Sequence, residues 1–149
     1  MTVLDLADLR RHLGEHLGYS SYHEITQAQA DLFADATGDH QWIHQDVARA
    51  AEGPFGGTIA HGYLTLSLLP VLLAEIWQVT GVRLGVNYGA NRVRFPSPVP
   101  VGSSLRAGAT LVGLEDIDGG AQIVLDVVVQ VRDAPKPSLV AQVLYRYYL

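Results

Sequence analysis

The 149-residue chain has no cysteine. That excludes disulfides and thiolate metal sites and fits a reducing compartment, so the expected location is the cytoplasm. No secretory leader is expected either: MTVLDLADLRRHLGEHL scatters acids and arginines among its leucines, with no continuous apolar core and no cleavage site. The longest apolar run, residues 63–79, is short for a bilayer span and contains Pro70, Glu75 and Gln78, so it reads as a buried helix. Basic charge is scarce. A net charge of -5 opposes a nucleic-acid surface or an anionic membrane, and any anionic ligand must be met by a local cluster of arginines. No Walker or dinucleotide glycine motif, GxSxG elbow or HExxH pair is present. No repeat, low-complexity tract or long linker divides the chain, and one domain over residues 1–149 is expected.

Leu4, Leu6, Leu9, Leu13 and Leu17 fall at helical spacing, which predicts an amphipathic helix over residues 5–17 stopped by Gly18. A short strand is expected around Tyr22 to Ile25. Thr26 and Gln29 then form the capping-box pattern TxxQ and open a helix to about Thr37, ended by Gly38, so that Asp39 lies just beyond its last turn. Residues 41–59, rich in glycine and holding Pro54, read as a loop-rich flap in which Asp46 caps a short turn of helix over residues 47–51. His61 and Gly62 lead into the apolar helix, which Pro70 kinks.

Beyond Gly81 the period changes to two. Leu105, Ala107, Ala109 and Leu111, then Ile123, Leu125, Val127, Val129 and Val131, each mark one apolar strand face. Asp118, Gly119 and Gly120 supply a turn between these strands, and residues 134–138 precede a third at residues 139–148. A long antiparallel sheet with one apolar face, beside one helix apolar almost all round, predicts an α+β fold in which the sheet curls around the helix.

The chemistry gathers in FADATGDHQWIHQDVARAAEGPFGGTIAHGYLTLSLLP, residues 33–70. Asp39 and His44 are a carboxylate and an imidazole able to share one water, and histidine titrates nearest neutrality. Taken alone, the same residues also suit an ordinary turn aspartate and a half-buried loop histidine. His40 and His44, with Asp39 and Asp46, are usual metal-ligand types, yet the missing HExxH leaves no metal expected.

GDHQWIHQD followed by FGGTIAHGYLTLSLLP resembles the MaoC-like hydratases and dehydratases, whose pattern runs GDxNPLHxD, then F, then IxHG and a helix carrying serine. NYGANRVRFPSPVPVGSSLRA resembles the strand that follows in that family, with its RFxxPVxxG segment. The likeness covers roughly Phe33 to Ala107 and is greatest to the small single-domain branch of (R)-specific enoyl-CoA hydratases and nodulation-protein-N-like chains. Where the family has Asn-Pro, this chain has Gln41 and Trp42, with the acid-to-histidine spacing intact.

The resemblance implies a hotdog fold, hydration of a 2-enoyl thioester by water held between Asp39 and His44, and a backbone oxyanion donor at Gly62. It places Ser67 near the catalytic pair and lets Gln41 offer an amide to the site. His61 is expected to orient the flap or bond a backbone carbonyl, and Arg92 and Arg94, with Arg106 nearby, to grip the phosphates of coenzyme A. No cofactor is expected, because coenzyme A arrives as part of the acyl-CoA substrate. A homodimer with a shared ten-strand layer follows from the same likeness, the pantetheine entering near the subunit boundary. Two rivals stand beside this reading: a thioesterase on the same fold and a non-catalytic acyl-thioester-binding module.

Overall fold

The computed structural model describes residues 1–149. Its centre is a helix in two pieces, α5 (Gly62–Ser67) and α6 (Leu69–Ala74), wrapped by a long antiparallel sheet; four shorter helices precede it, α1 (Leu6–Arg11), α2 (Gln27–Thr37), α3 (Trp42–Gln45) and α4 (Val47–Ala51). Two short strands pair outside the main sheet, β1 (Thr2–Leu4) running parallel to β4 (Trp77–Val79). The main sheet has the order β2 (His16–Tyr19), β6 (Ser104–Ile117), β7 (Gly120–Val131), β8 (Leu139–Tyr148), β5 (Leu84–Arg94), with β3 (His23–Glu24) also paired to β6.

The two-residue period fixes which sheet face meets the helix. Leu105, Ala107, Ala109 and Leu111 of β6, Ile123, Leu125, Val127 and Val129 of β7, and Leu139, Ala141 and Val143 of β8 are all buried. They pack with Leu64, Leu69, Leu72, Leu73 and Ile76 in one core. Each large side chain removed from water in this way is worth about 1.5–3 kcal/mol. A register shift between Leu111 and Gly113 bulges β6 and turns Val112 outward, which bends the strand as bulges do. The arrangement is the α+β hotdog fold that the resemblance implies.

Three expectations need correction. The first helix stops at Arg11, not Gly18: Asp5 caps it, Gly14 turns at φ 88°, and Gly14 N–H bonds the Leu111 carbonyl at 2.7 Å. Pairing with β6 therefore overrides the helical leucine spacing, placing Leu17 in a strand and leaving Leu13 exposed. The apolar run does not stay helical to residue 79 either; it ends at Ala74 and leaves as β4. Pro70 interrupts the helix as anticipated, since it has no N–H for the Leu66 carbonyl, and the ladder resumes with Leu72 N–H on Leu68. Nor is that helix covered all round, for Tyr63 and Val71 are exposed. No helix is long and apolar enough to cross a membrane.

The end of α6 is tied to the β2–β3 connection by Glu75. Its carboxylate accepts from Ser21 Oγ at 2.6 Å and Ser21 N at 2.8 Å, and His23 also reaches it. The Ser21 hydroxyl, then its backbone N–H, hold the Glu75 carboxyl below its ordinary value. A carboxylate whose folded pKa is depressed stabilises the fold above its unfolded value and loses that contribution as pH falls through the folded one. The melting-temperature advantage of the parent over Glu75→Gln is therefore expected to be full at neutral pH and to shrink on acidification below about pH 4. Thermal melts across that range check this; an advantage that stays constant or grows in acid contradicts it.

Candidate active site

Local signals set the backbone of the site. α2 opens on a complete capping box: Thr26 Oγ1 accepts from Gln29 N, and the Gln29 side chain accepts from Thr26 N. It closes where Gly38 turns left-handed at φ 83°, a conformation that favours glycine. That turn carries Asp39 off the helix axis, and its carboxylate receives the Gln41 N–H at 3.3 Å. The chain then makes α3, a single turn that the glycine-rich composition around it did not announce. Trp42 is its first residue, the position where proline is also tolerated because that N–H has no partner within the helix, so the Trp-for-Pro change leaves the turn intact. The indole supports the Arg49 guanidinium at 4.3 Å and packs on Gly53, tying α3 to α4 and the flap. Asp46 caps α4 through Arg49 N–H, as expected.

α3 delivers His44 into the interior at 6 % exposure. Nδ1 faces the Ile59 carbonyl at 2.8 Å, and a carbonyl can only accept, so Nδ1 carries the hydrogen and, in the neutral ring, Nε2 has the lone pair. The His44 carbonyl accepts from Gln27 Nε2 at 2.7 Å, and Gln27 Oε1 accepts from Thr58 Oγ1 at 2.7 Å, so α2 and the flap grip α3 from behind. Gln27 escaped the sequence reading, since nothing in its spacing distinguishes it from any residue opening a helix.

His61 lies against His44, ring centroids 3.8 Å apart and planes inclined by 25°, with Phe33 beyond it at 4.9 Å. Its Nε2 donates to the Asp39 main-chain carbonyl at 3.0 Å. One carboxylate oxygen of Asp39 and one ring nitrogen each of His44 and His61 lie within 4.8 Å of one another. The predicted acid and imidazole therefore converge, and His61 joins them. By distance alone the three could hold a metal ion. Lone pairs lie in the ring planes, however, and planes stacked 3.8 Å apart at 25° cannot both contain one ion at a bonding distance of about 2.0–2.1 Å. The geometry suits proton transfer better than coordination.

Gly62 follows His61 as the first residue of α5, where a backbone N–H has no partner in its own helix. A Cβ built on Gly62 would lie 3.1–3.2 Å from three atoms of the Phe95 ring, so that ring covers the glycine closely. Phe95 lies within the RFxxPV segment, and only the fold brings the end of β5 to the start of α5.

Other expected residues are placed differently. Ser67 is exposed, and its hydroxyl donates to the Tyr63 carbonyl at 2.6 Å, the back-bond of a helical serine, so no hydrogen bond takes it toward Asp39 or His44. Gln41 is exposed and reaches Asp39 through its main-chain N–H. Arg92 and Arg94 are exposed on β5, just before Phe95. Arg106 is separate from them: it stacks over Tyr19 at 4.1 Å and Tyr22 at 5.1 Å, on the opposite face of β6 from Leu105 and Ala107.

Two cavities follow the flank of α5 and α6 away from Gly62. The nearer, of about 240 Å³, is lined by Leu66, Leu69, Asn87, Gly89, Val143 and Tyr145, and the farther, of about 270 Å³, by residues that include Leu73, Trp77, Val82, Tyr145 and Tyr147. Burial pushes the Tyr145 hydroxyl up to about 12, so that shared wall is uncharged at neutral pH.

Comparison with known proteins gives three kinds of likeness. The family model described as MaoC like domain matches residues 8–133. The 3-hydroxyacyl-thioester dehydratase Z of Mycobacterium tuberculosis is 53% identical over 147 residues, covering 98% of this chain and 97% of the relative. Nodulation protein N of Rhizobium leguminosarum bv. viciae is 43% identical over 145 residues, covering 95% of this chain and 89% of the relative. Among solved structures, an (R)-hydratase of Pseudomonas aeruginosa superposes with a TM-score of 0.72 at 24% identity, covering 95% of this chain and 84% of that one, a likeness of fold.

Proposed function

This chain belongs to the MaoC-like domain family, and from that premise we propose that it adds water to trans-2-enoyl-CoA to form (3R)-3-hydroxyacyl-CoA, and dehydrates that product in reverse. The observation that carries the reading is the convergence of the Asp39 carboxylate with the His44 imidazole at the head of the apolar helix. The dehydratase relative at 53% identity supports the same chemistry, and the (R) outcome rests on the family resemblance.

In the forward direction the Asp39 and His44 pair holds one water. One of the two groups takes a proton from it as its oxygen bonds to C3, the C2–C3 π electrons move to C2 and the thioester carbonyl, and a proton is then placed on C2. The net change is addition of H and OH across the double bond. Negative charge on the thioester oxygen is met by the Gly62 N–H, a backbone dipole at the start of α5 beside the Phe95 ring. The acyl chain lies along the cavities beside Leu66 and Leu69, an uncharged slot that suits alkyl groups. Arg92 and Arg94 stand at the strand end leading to this site and supply guanidinium groups for the coenzyme A phosphates. No cofactor or metal takes part in this scheme.

The assembly in this reading is a homodimer. β5 is an edge strand of 11 residues, exposed along nearly its whole length, with Leu84, Val86 and Tyr88 facing solvent and Tyr63 and Val71 on the neighbouring helix. Such an edge invites pairing, and a second copy joined there would extend the sheet and cover these side chains. β2 and β3 pair one after the other with the same edge of β6, so each sheet is five strands wide and two copies joined at β5 would make the ten-strand layer expected.

Asp39→Asn and His44→Gln are each expected to lower kcat for crotonyl-CoA hydration by about a hundredfold or more, the scale of losing a general acid or base. Loss of enoyl absorbance measures this, with free thiol followed in parallel. Thiol release without hydration would make the protein a thioesterase, and normal crotonyl-CoA binding without turnover of any enoyl thioester would make it a binding module. Sedimentation at micromolar concentration checks the dimer: an active species that is strictly monomeric contradicts it.

A further inference from the structure

His61 has no part in the proton transfers just described, yet it is the most deeply buried polar group of the site, at 2 % exposure. Packing alone does not account for an imidazole at this position. Its Nδ1 is buried without a hydrogen-bond partner, whereas phenylalanine would fill a similar slab between Phe33 and His44 and leave nothing unsatisfied. What a phenyl ring could not do is donate. The group facing Nε2 is the Asp39 carbonyl, which only accepts, so Nε2 carries a hydrogen and, in the neutral ring, Nδ1 is the lone-pair nitrogen.

Apart from this bond, the hydrogen bonds made by Asp39 are local: its N–H reaches Thr37 Oγ1 and its carboxylate receives the Gln41 N–H, each two residues away and each 3.3 Å long. Residues 35–41 are exposed, and Gly38 sits at the turn. The His61 bond is thus the one that ties the Asp39 backbone to the α5 segment bearing Gly62, while the same ring lies on His44.

We propose that His61 is a positioning residue: its Nε2–H holds the Asp39 main chain at the separation from His44 and Gly62 that catalysis needs, and its stacking on His44 is packing. This rests on the hydratase reading above. The chemistry is that of a neutral donor on a backbone carbonyl, so another side chain placing an N–H at the same point will substitute for it. A displacement of about 1 Å at a reacting group costs on the order of a hundredfold in rate.

The test compares two pairs of variants in the full-length protein. His61→Phe keeps the ring and removes the donor; His61→Gln keeps an amide N–H near the Nε2 position and removes the ring. With crotonyl-CoA, His61→Phe is expected to lose about a hundredfold in kcat with KM changed by no more than about threefold. His61→Gln is expected to recover at least about tenfold of that loss. His61→Leu, similar in size to Gln but without a donor, should behave as His61→Phe does; this second pair decides the matter if the phenyl variant fails to fold. Hydrogen exchange supplies a readout independent of turnover: the amides of residues 39–41 should exchange faster in the Phe and Leu variants and at parental rates in the Gln variant. Parental kcat in His61→Phe, or Gln behaving no better than Leu, with unchanged exchange at residues 39–41, overturns the role assigned to His61 alone. A parent protein that turns over no enoyl thioester overturns the hydratase reading, while the exchange comparison still reports on the tether.

Discussion

The site depends on two stacked imidazoles buried at the head of an apolar helix. His44 cannot choose another orientation while its Nδ1–H is held by Ile59 and its far face is covered by His61. His61 is fixed in turn because its own carbonyl starts α5, accepting the Leu64 and Thr65 N–H groups, while its ring holds the Asp39 backbone. The end of α2 and the adjoining turn α3 meet the start of α5, farther along the chain, through these few contacts. Each is a single hydrogen bond or ring contact, modest in net energy, but removing one partner of the buried His44–Ile59 bond leaves the other unsatisfied at a cost of about 1–3 kcal/mol.

This arrangement explains why the polar residues precede the most apolar helix. A helix start has free N–H groups that need partners or a ligand, so it is the place where polar chemistry can enter an apolar core at least cost. Beyond Gly62 the helix needs only to bury leucines against the sheet. The cavity beside Leu66 and Leu69 then arises where Gly89 and Ala90 of the edge strand present little side chain to fill the space. Polar head and apolar slot are two ends of one element.

Much of this was legible in the order of residues. The TxxQ box, Gly38 and the Asp46 cap are short-range signals whose physics is local, and the structure places α2 and α4 where they indicate. The strands β6 and β7 follow from a period of two, and β8 from the proline-bearing segment before it. Legibility failed where a long-range partner decided the outcome. Leu13 and Leu17 sit at helical spacing, but β6 offers a sheet edge that residues 16–19 join instead. Trp77–Val79 leaves its helix because β1 is there to pair with it. Arg106, near Arg92 and Arg94 in sequence, lies on β6, which β7 and β8 separate from β5, and is stacked on Tyr19 and Tyr22. Within the site, the Asp39 and His44 spacing was visible, whereas the part played by Phe95 was not, because its contact with Gly62 spans 33 residues of chain. Ser67 shows the opposite case, a suggestive residue whose own helix takes up its hydroxyl.

The central claim is that Asp39 and His44 act as one unit on one water. A double-mutant cycle in crotonyl-CoA hydration tests this most directly, with kcat measured for the parent, Asp39→Asn, His44→Gln and the double variant. Groups serving a single transition state are strongly non-additive, so the double variant is expected to be about as slow as the slower single one. A loss equal to the product of the two single losses would show the carboxylate and the imidazole working independently, and would contradict the account.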